Sequence, residues 1–374
     1  MSEFLPFARP EIDEDTIAAV GEVLRSGWIT SGPQVQLFEA QLSAFFAGRP
    51  VRSFTHATAA LEIAVRLAGA GPGDEVIVPA MTFVASANVV LLAGAHPVLV
   101  DVDLDSRNTD AARIEAAITP RTKAVMPVHF AGLPVDMEPI YALARRRGLR
   151  VIEDAAHAMG AIYRARRIGA QGDLVAFSFH PNKNLTTIEG GALSFGEASE
   201  LERAERLRFH GIRKLPGNEM DVAEPSGKSN LSDVSARIGI AQLAKLAHFN
   251  AKRAALARSY FDRLKGLAHV RLPEPGDSGH SWHLFAPLID FGALGMKRPE
   301  FIARMQARGI GVGVHYPALH LFEAYRRLGY RRGDFPNAET IGERTVTLPL
   351  FTQMREADVE RVCEALQATI LPPQ

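Results

Sequence analysis

Between residues 58 and 194 the chain alternates helical and extended segments, and this alternation constrains the fold more than any other feature of its 374 residues. Thr58-Ala-Ala-Leu-Glu-Ile-Ala-Val-Arg-Leu-Ala reads as a helix, and Pro72-Gly73-Asp74 turns into an extended run at 75–79. Further apolar runs at 98–100, 124–127, 151–153 and 174–179 are separated by helical periods at 86–93, 111–117 and 139–146. Repeated βαβ units mean an α/β fold, with a mainly parallel, mixed sheet between layers of helices. A chain of this length is expected to hold two domains sharing one interface. The boundary is placed near Phe249, giving a large domain at 1–249 and a smaller α+β domain at 250–374.

Within this pattern one polar loop stands out. Ser178-Phe-His-Pro-Asn-Lys183-Asn-Leu-Thr-Thr-Ile-Glu-Gly190-Gly191 joins the apolar run ending near Phe177 to a second one, Ala192-Leu-Ser-Phe195. Taken alone, Lys183 reads as a solvated loop lysine. Partly desolvated, its amine would titrate lower and become a usable nucleophile. Just upstream, Arg150-Val-Ile-Glu153-Asp154-Ala-Ala-His157 is a strand ending in an acid. Asp154 alone could be a helix N-cap. Ligands of parallel α/β sheets, however, bind at the carboxyl ends of strands. A strand-end aspartate and a loop lysine shortly after it are what pyridoxal phosphate needs: a Schiff-base amine and a carboxylate partner for the pyridinium nitrogen.

A third element is Thr55-His56-Ala57-Thr58, which precedes the first helix of the alternation. A helix start offers free N–H groups and the positive end of the dipole, so it suits a phosphate. A plain Ser/Thr cap reads equally well from these residues.

The motifs that follow one another along the chain are Phe7-Ala-Arg-Pro10, Ser26-Gly-Trp-Ile-Thr-Ser-Gly-Pro33, Thr58-Ala-Ala-Leu61, Gly71-Pro-Gly-Asp-Glu-Val-Ile-Val-Pro79, Thr82-Phe83-Val84-Ala85, Val100-Asp-Val-Asp103, Pro127-Val-His129, Glu153-Asp-Ala-Ala-His157, Phe177-Ser-Phe-His180, Lys183-Asn184, Glu189-Gly-Gly191 and Leu348-Pro-Leu-Phe351. In this set and order the chain resembles the DegT/DnrJ/StrS family of sugar aminotransferases, which have the type I PLP-dependent transferase (aspartate aminotransferase) fold. The resemblance implies Lys183 as the Schiff-base residue, Asp154 on the ring nitrogen, Phe83 over the ring, His157 near the ring's 3-oxygen, and Ala57, Thr58 and Ser178 at the phosphate. It places the loop carrying Trp28 and Thr30 near a sugar nucleotide, with His315 and Tyr316 bordering the sugar pocket. It also implies that the loop with Lys228 and Asn230 crosses a homodimer interface to the partner's cofactor phosphate, so that active sites are shared.

Two departures matter. Most of the family has Gly where Ala57 stands, which is tolerable only if φ there is negative. Lys228-Ser229-Asn230 stands where many relatives have Asn-x-Arg, a form similar to the branch that makes 4-amino-4-deoxy-L-arabinose.

Composition bounds the rest. Lys+Arg 42 against Asp+Glu 42 gives no net charge and no argument for a nucleic-acid surface. Hydrophobic residues at 47% support a full core. The solitary Cys363 excludes an intrachain disulfide framework and fits a reducing cytoplasm. The first ten residues lack a basic segment followed by an apolar one, so no signal peptide is expected. The longest apolar run, 89–100, is broken by Gly94, His96 and Pro97 and is too short to span a bilayer. His315 and His320 have no helix-face metal spacing, and no metal site is expected.

Outside the alternation, Asp13 should cap a helix whose face is Ile17, Val20 and Leu24 and which Gly27 ends. Two helices are expected at 232–247 and 250–264, a helix at 298–308, and strands at 282–285 and 311–317. The function expected is a PLP-dependent transfer of an amino group from glutamate to a nucleotide-linked keto sugar, with a UDP-4-keto sugar favoured by the Lys-x-Asn form. One rival is the family's dehydratase branch, which carries His where this chain has Lys183. Another is a non-catalytic sensor that kept the fold.

Overall fold

The computed structural model describes residues 3–276 and 279–370. The chain opens with helices α1 (Glu14–Ser26) and α2 (Pro33–Phe45), then strand β1 (Val51–Phe54), α3 (Ala57–Leu67), β2 (Glu75–Pro79), α4 (Ala85–Leu92), β3 (His96–Val100), α5 (Ala111–Ala116) and β4 (Thr122–Val125). It continues with α6 (Met137–Arg147), β5 (Arg150–Asp154), a small hairpin β6 (Ile162–Tyr163) and β7 (Arg166–Arg167), then β8 (Leu174–Ser178) and β9 (Gly191–Phe195). These form a seven-stranded sheet in the order β1-β9-β8-β5-β4-β2-β3. Strands β8, β5, β4, β2 and β3 run parallel, while β9 is antiparallel to both β8 and β1. The mainly parallel, mixed sheet is therefore as the alternation implied; β1 and α2 were not legible there.

Period-2 alternation explains how the sheet is covered on both faces. On β8, Leu174 and Ala176 join the cluster of α3, with Leu61, Ala64, Val76 and Ile152. Val175 and Phe177 point the other way, into a cluster with Phe38, Phe46 and Phe179. Helix α2 there has no side-chain cap of its own. The wholly buried Asp233 supplies one, accepting from the N–H groups of Gly32, Gln34 and Val35 at 2.8, 3.1 and 2.9 Å.

After β9 come α7 (Leu201–Arg208), an exposed hairpin β10 (Ile212–Lys214) and β11 (Met220–Val222), and α8 (Asp233–Leu264). The two helices expected at 232–264 are a single one of 32 residues. Neither Gly nor Pro lies between His248 and Asn250, so nothing breaks it. Asn250 instead anchors sideways, its Nδ2 donating to Met159 O at 3.0 Å.

The rest comprises β12 (Val270–Arg271), β13 (Leu288–Ile289), α9 (Arg298–Ala307), α10 (Glu323–Arg326), α11 (Pro336–Arg344) and α12 (Glu356–Ile370); α9 and α12 pack around a core with Tyr260, Phe285, Phe301 and Leu366, while Tyr325 of α10 and Ala338 and Ile341 of α11 join the cluster of α3. Leu5, from the start of the chain, packs in that same core.

Three further expectations are corrected. Helix α1 has its Asp13 cap and its left-handed Gly27 end, but it buries Thr16 and Val23 against α8, not the face of Ile17 and Leu24, which are 52% and 55% exposed. The segment 282–285 is not a strand. Ser281 and His283 give their N–H groups to Gly132 O and Ala131 O, in a turn where Ala131 and Gly132 have φ of 57° and 94°. The segment 311–317 is not a strand either, because its backbone partners change from Leu5 at Gly311 to Thr347 at Gly313. No helix among the described residues is long and apolar enough to cross a membrane.

Candidate active site

The pocket lies where carboxyl-terminal strand ends meet the start of α3. It is a cavity of about 290 Å³, lined by His56, Ala57, Thr58, Leu61, Thr82, Phe83, Ala85, Val128, Asp154, Ala156, His157, Ser178, His180, Asn182, Lys183, Glu189, His315 and Tyr316. Strand β5 ends in Asp154 and β8 in Ser178, so the sheet brings both to one edge.

The lysine loop is closed at its base like a hairpin. Phe179 donates to Gly190 O at 2.9 Å, and Thr187 N–H returns to Phe179 O at 2.9 Å. Beside the lysine, Asn184 Nδ2 is pinned to Ser281 O at 2.7 Å and Asn250 Oδ1 at 2.8 Å. Lys183 is thereby held in the pocket. Desolvation pulls its amine down to about 8, while the Asp154 carboxylate favours the charged form.

Asp154 is 4% exposed, and each of its oxygens has a donor. Ser86 Oγ reaches Oδ2 at 2.7 Å, and Ala156 N–H reaches Oδ1 at 3.1 Å.

The phosphate-like end is the first turn of α3. His56 caps it, its Nδ1 accepting from Ala59 N–H at 3.0 Å. The preceding N–H groups of Ala57 and Thr58 stay at the cavity wall without a backbone acceptor. Ala57 is an ordinary helical residue, not one with positive φ, so its departure from Gly is harmless. The close approach is made instead by Gly191, where a Cβ would lie 2.6 Å from Ala57 N. Ser178, 7% exposed, sits beside this turn.

The third wall is aromatic. Phe83 is 52% exposed, and its ring lies 5.6 Å from that of Tyr316. His157 is held in one tautomer. Ala131 N–H donates to Nδ1 at 3.2 Å, so the proton is on Nε2, which donates to Tyr316 Oη at 3.1 Å. Burial, then the charge of Lys183, pushes His157 well below the usual imidazole range, so it stays neutral. The same two causes pull His315 down to about 4. Burial and Asp154 push the Tyr316 hydroxyl well above its ordinary value.

Of the residues singled out from the sequence, Ala57, Thr58, Phe83, Asp154, His157, Ser178, Lys183, His315 and Tyr316 line this one cavity. Trp28, Thr30, Lys228 and Asn230 do not. Trp28 is 61% exposed, and Thr30 gives only its carbonyl, to Asp233 N–H at 3.0 Å. Asn230 Nδ2 donates to Ser31 Oγ at 2.6 Å, which ties the two loops together. Sequence reasoning gave no role to His56 and Ser86, nor to Glu189 although it stood in a motif. His56 was masked by the neighbouring threonines, which look like better caps, and Ser86 by its place inside a helical period. His180 was visible in its motif but had no role assigned. Among the described residues no cluster of His, Cys, Asp or Glu could hold a metal.

Solved structures resemble the chain over nearly its whole length. The putative sugar aminotransferase Spr1654 from Streptococcus pneumoniae, in its apo-form, superposes with a TM-score of 0.92 at 32% identity over 98% of this chain and 97% of that one. PMP- and PLP-forms of the same protein match at 0.91. DesV from S. venezuelae, in complex with a ketimine intermediate, matches at 0.91 and 35% identity over 100% of both chains. PseC from Helicobacter pylori, an aminotransferase involved in pseudoaminic acid biosynthesis, matches at 0.92 and 27% identity over 99% of both chains. The type I aminotransferase fold is thus the fold of this chain. A family model matches residues 10–367, and the chain belongs to the DegT/DnrJ/EryC1/StrS aminotransferase family.

Proposed function

We propose that the chain is a pyridoxal-phosphate aminotransferase that moves an amino group from glutamate to a nucleotide-linked keto sugar. The observation that carries this is the Lys183 amine, pulled down to about 8 and sharing one small cavity with Asp154 and the start of α3. The residues fit the cofactor: Lys183 as covalent anchor, Asp154 at the ring nitrogen, Phe83 and His157 around the ring, and Ala57, Thr58 and Ser178 at the phosphate. The cofactor, when bound, supplies an electron sink that lets an amino acid give up its Cα proton.

The protein's part follows from its own groups. Released from its anchoring role, Lys183 can take and return a proton near neutral pH. Asp154 keeps the proton at the ring nitrogen. His157 donates through Nε2 at every working pH, because its Nδ1 is occupied and the ring stays neutral. Lysine at 183, where dehydratases of the family carry His, favours transamination over hydroxyl removal.

The reading extends to a homodimer with shared sites. Ile17, Leu24, Trp28 and Ile29 leave apolar surface exposed along α1 and the loop after it, and Met220 and Val222 do so on the β10–β11 hairpin. An isolated two-stranded hairpin is marginal without a partner. Lys228 is exposed, and among the described residues its amine has no acceptor. A partner's phosphate would supply one, and Asn230 braces the loop that carries it. Trp28, Thr30, His315 and Tyr316 would then line the sugar side. The division at 1–249 and 250–374 is proposed in the same sense, with α8 shared between the two units.

The Lys-x-Asn form at 228–230 favours a UDP-4-keto sugar, in the synthesis of a cell-surface polysaccharide or antibiotic sugar. The lone Cys363 fits a cytoplasmic setting. A panel of keto-sugar nucleotides incubated with glutamate, followed by mass spectrometry of the products, tests the assignment. Conversion of at least one to its amino form, with 2-oxoglutarate released in equal amount, is the expected result. No conversion of any nucleotide-linked keto sugar, with turnover of free keto acids instead, would overturn it.

A further inference from the structure

Asp154 is held by a chain of hydroxyls whose direction can be worked out. Ser86 Oγ lies 2.7 Å from Asp154 Oδ2 and 3.0 Å from Thr82 Oγ1. All three side chains are buried, Thr82 2%, Ser86 0% and Asp154 4% exposed. An ionised carboxylate only accepts, and a serine has one proton to give. Ser86 therefore gives that proton to Asp154, not to the Phe83 carbonyl, which lies farther away at 3.3 Å. The proton between the two hydroxyls must then come from Thr82.

With Ala156 N–H on Oδ1 and Ser86 on Oδ2, the plane of the carboxylate is fixed. Without Ser86 only the 3.1 Å bond from Ala156 N–H holds it, and the last torsion of an aspartate is broad. Ser86 also sits in the first turn of α4, where its N–H donates to Phe83 O at 3.2 Å. One residue thus ties the segment bearing the half-exposed Phe83 to the buried carboxylate.

We propose that Ser86, backed by Thr82, is a positioning residue that aims the Asp154 carboxylate at the cofactor's ring nitrogen and holds Phe83 in register with it. This rests on the assignment of Asp154 and Lys183 made above. A carboxylate that can turn away from the ring nitrogen pairs with its proton less well, so the Ser86→Ala protein should lose that proton at a lower pH than wild type.

The test uses full-length protein loaded with pyridoxal phosphate labelled with ¹⁵N in the ring, and reads nitrogen protonation by NMR across pH, alongside kcat and KM. The expected result for Ser86→Ala is the earlier loss of the proton, with kcat about tenfold lower and KM for the donor unchanged. Thr82→Val should move the same way by less, and Ser86→Thr should restore wild-type behaviour. A Ser86→Ala protein with lower kcat but wild-type nitrogen protonation would make the role merely structural and overturn the proposal. Should that variant not fold, wild-type protonation in Thr82→Val overturns it equally. A wild-type protein that takes up no cofactor sinks the assignment of Asp154 and this proposal together; normal uptake with no response to either substitution sinks this proposal alone.

Discussion

The two sides of the pocket are made differently. The side carrying Asp154, Ser178, Lys183 and Thr58 consists of strand ends, a hairpin-like loop and a helix start, all within the seven-stranded sheet and its first covering helix. The facing side, with His315 and Tyr316, comes from an irregular segment far along the chain, held by single pairings with Leu5 and Thr347. The sheet side carries the charges that handle protons. The irregular side carries neutral aromatic groups, kept neutral by burial, and the proposed partner loop with Lys228 would add a third wall. Chemistry is thus expected to depend on the sheet side, and affinity and selection on what faces it.

Substitutions can break this contrast, beginning on the sheet side. Lys183→Ala should reduce amino transfer to trace levels while cofactor still binds non-covalently; turnover and dialysis-resistant cofactor content check this. Asp154→Asn should lower kcat by about 10²- to 10³-fold, with a much smaller loss of cofactor content. A neutral amide cannot hold the pyridinium proton, and wild-type rates would remove Asp154 from its role.

At the proposed partner loop the expected effect is smaller and of another kind. Lys228→Ala should weaken cofactor affinity by about 10- to 100-fold, leaving activity intact at saturating cofactor. With limiting cofactor, subunit exchange between Lys228→Ala and Lys183→Ala proteins should restore about a quarter of wild-type activity, because half the dimers are mixed and half the sites of each mixed dimer hold both lysines. A mixture as inactive as its parents, with exchange proven, would place Lys228 outside the site.

The smallest effect is on pH. Only the neutral Lys183 amine attacks the cofactor aldehyde, and the amine is pulled down to about 8. The rate of cofactor uptake by apo-protein should rise with pH, about tenfold per unit below that value, and level off above it. Asp154 favours the protonated amine, so Asp154→Asn should move the plateau to lower pH. Stopped-flow uptake rates across pH read both.

The same contrast shows what the sequence could tell. On the sheet side Asp154 and Lys183 could be singled out because local pattern and position coincide there, while His56 and Ser86 could not. A strand that ends in Asp154 and a polar loop bounded by Gly190-Gly191 can be found from neighbouring residues, although their roles came from the family resemblance. Where long-range partners decide, pattern misleads. The apolar run at 282–285 looks extended, but the N–H groups of His283 and Leu284 go to Ala131 O, about 150 residues upstream by sequence. Helix α1 shows a plausible apolar face, yet its contact with α8 is made through Thr16 and Val23. The Asp233 cap on α2 joins residues some two hundred positions apart and leaves no local trace. His315 and Tyr316 were placed near the pocket only by family resemblance, since nothing in the segment 311–317 points there.

Whether Lys183 is the covalent anchor opposite Asp154 can be read by one direct measurement. Protein loaded with pyridoxal phosphate is reduced with borohydride, digested and sequenced by tandem mass spectrometry. The expected result is a single pyridoxyl group on the peptide containing Ser178 to Glu189, at Lys183, and none in the Lys183→Ala protein. A label on any other lysine, or a Lys183→Ala protein labelled as fully as wild type, would contradict it.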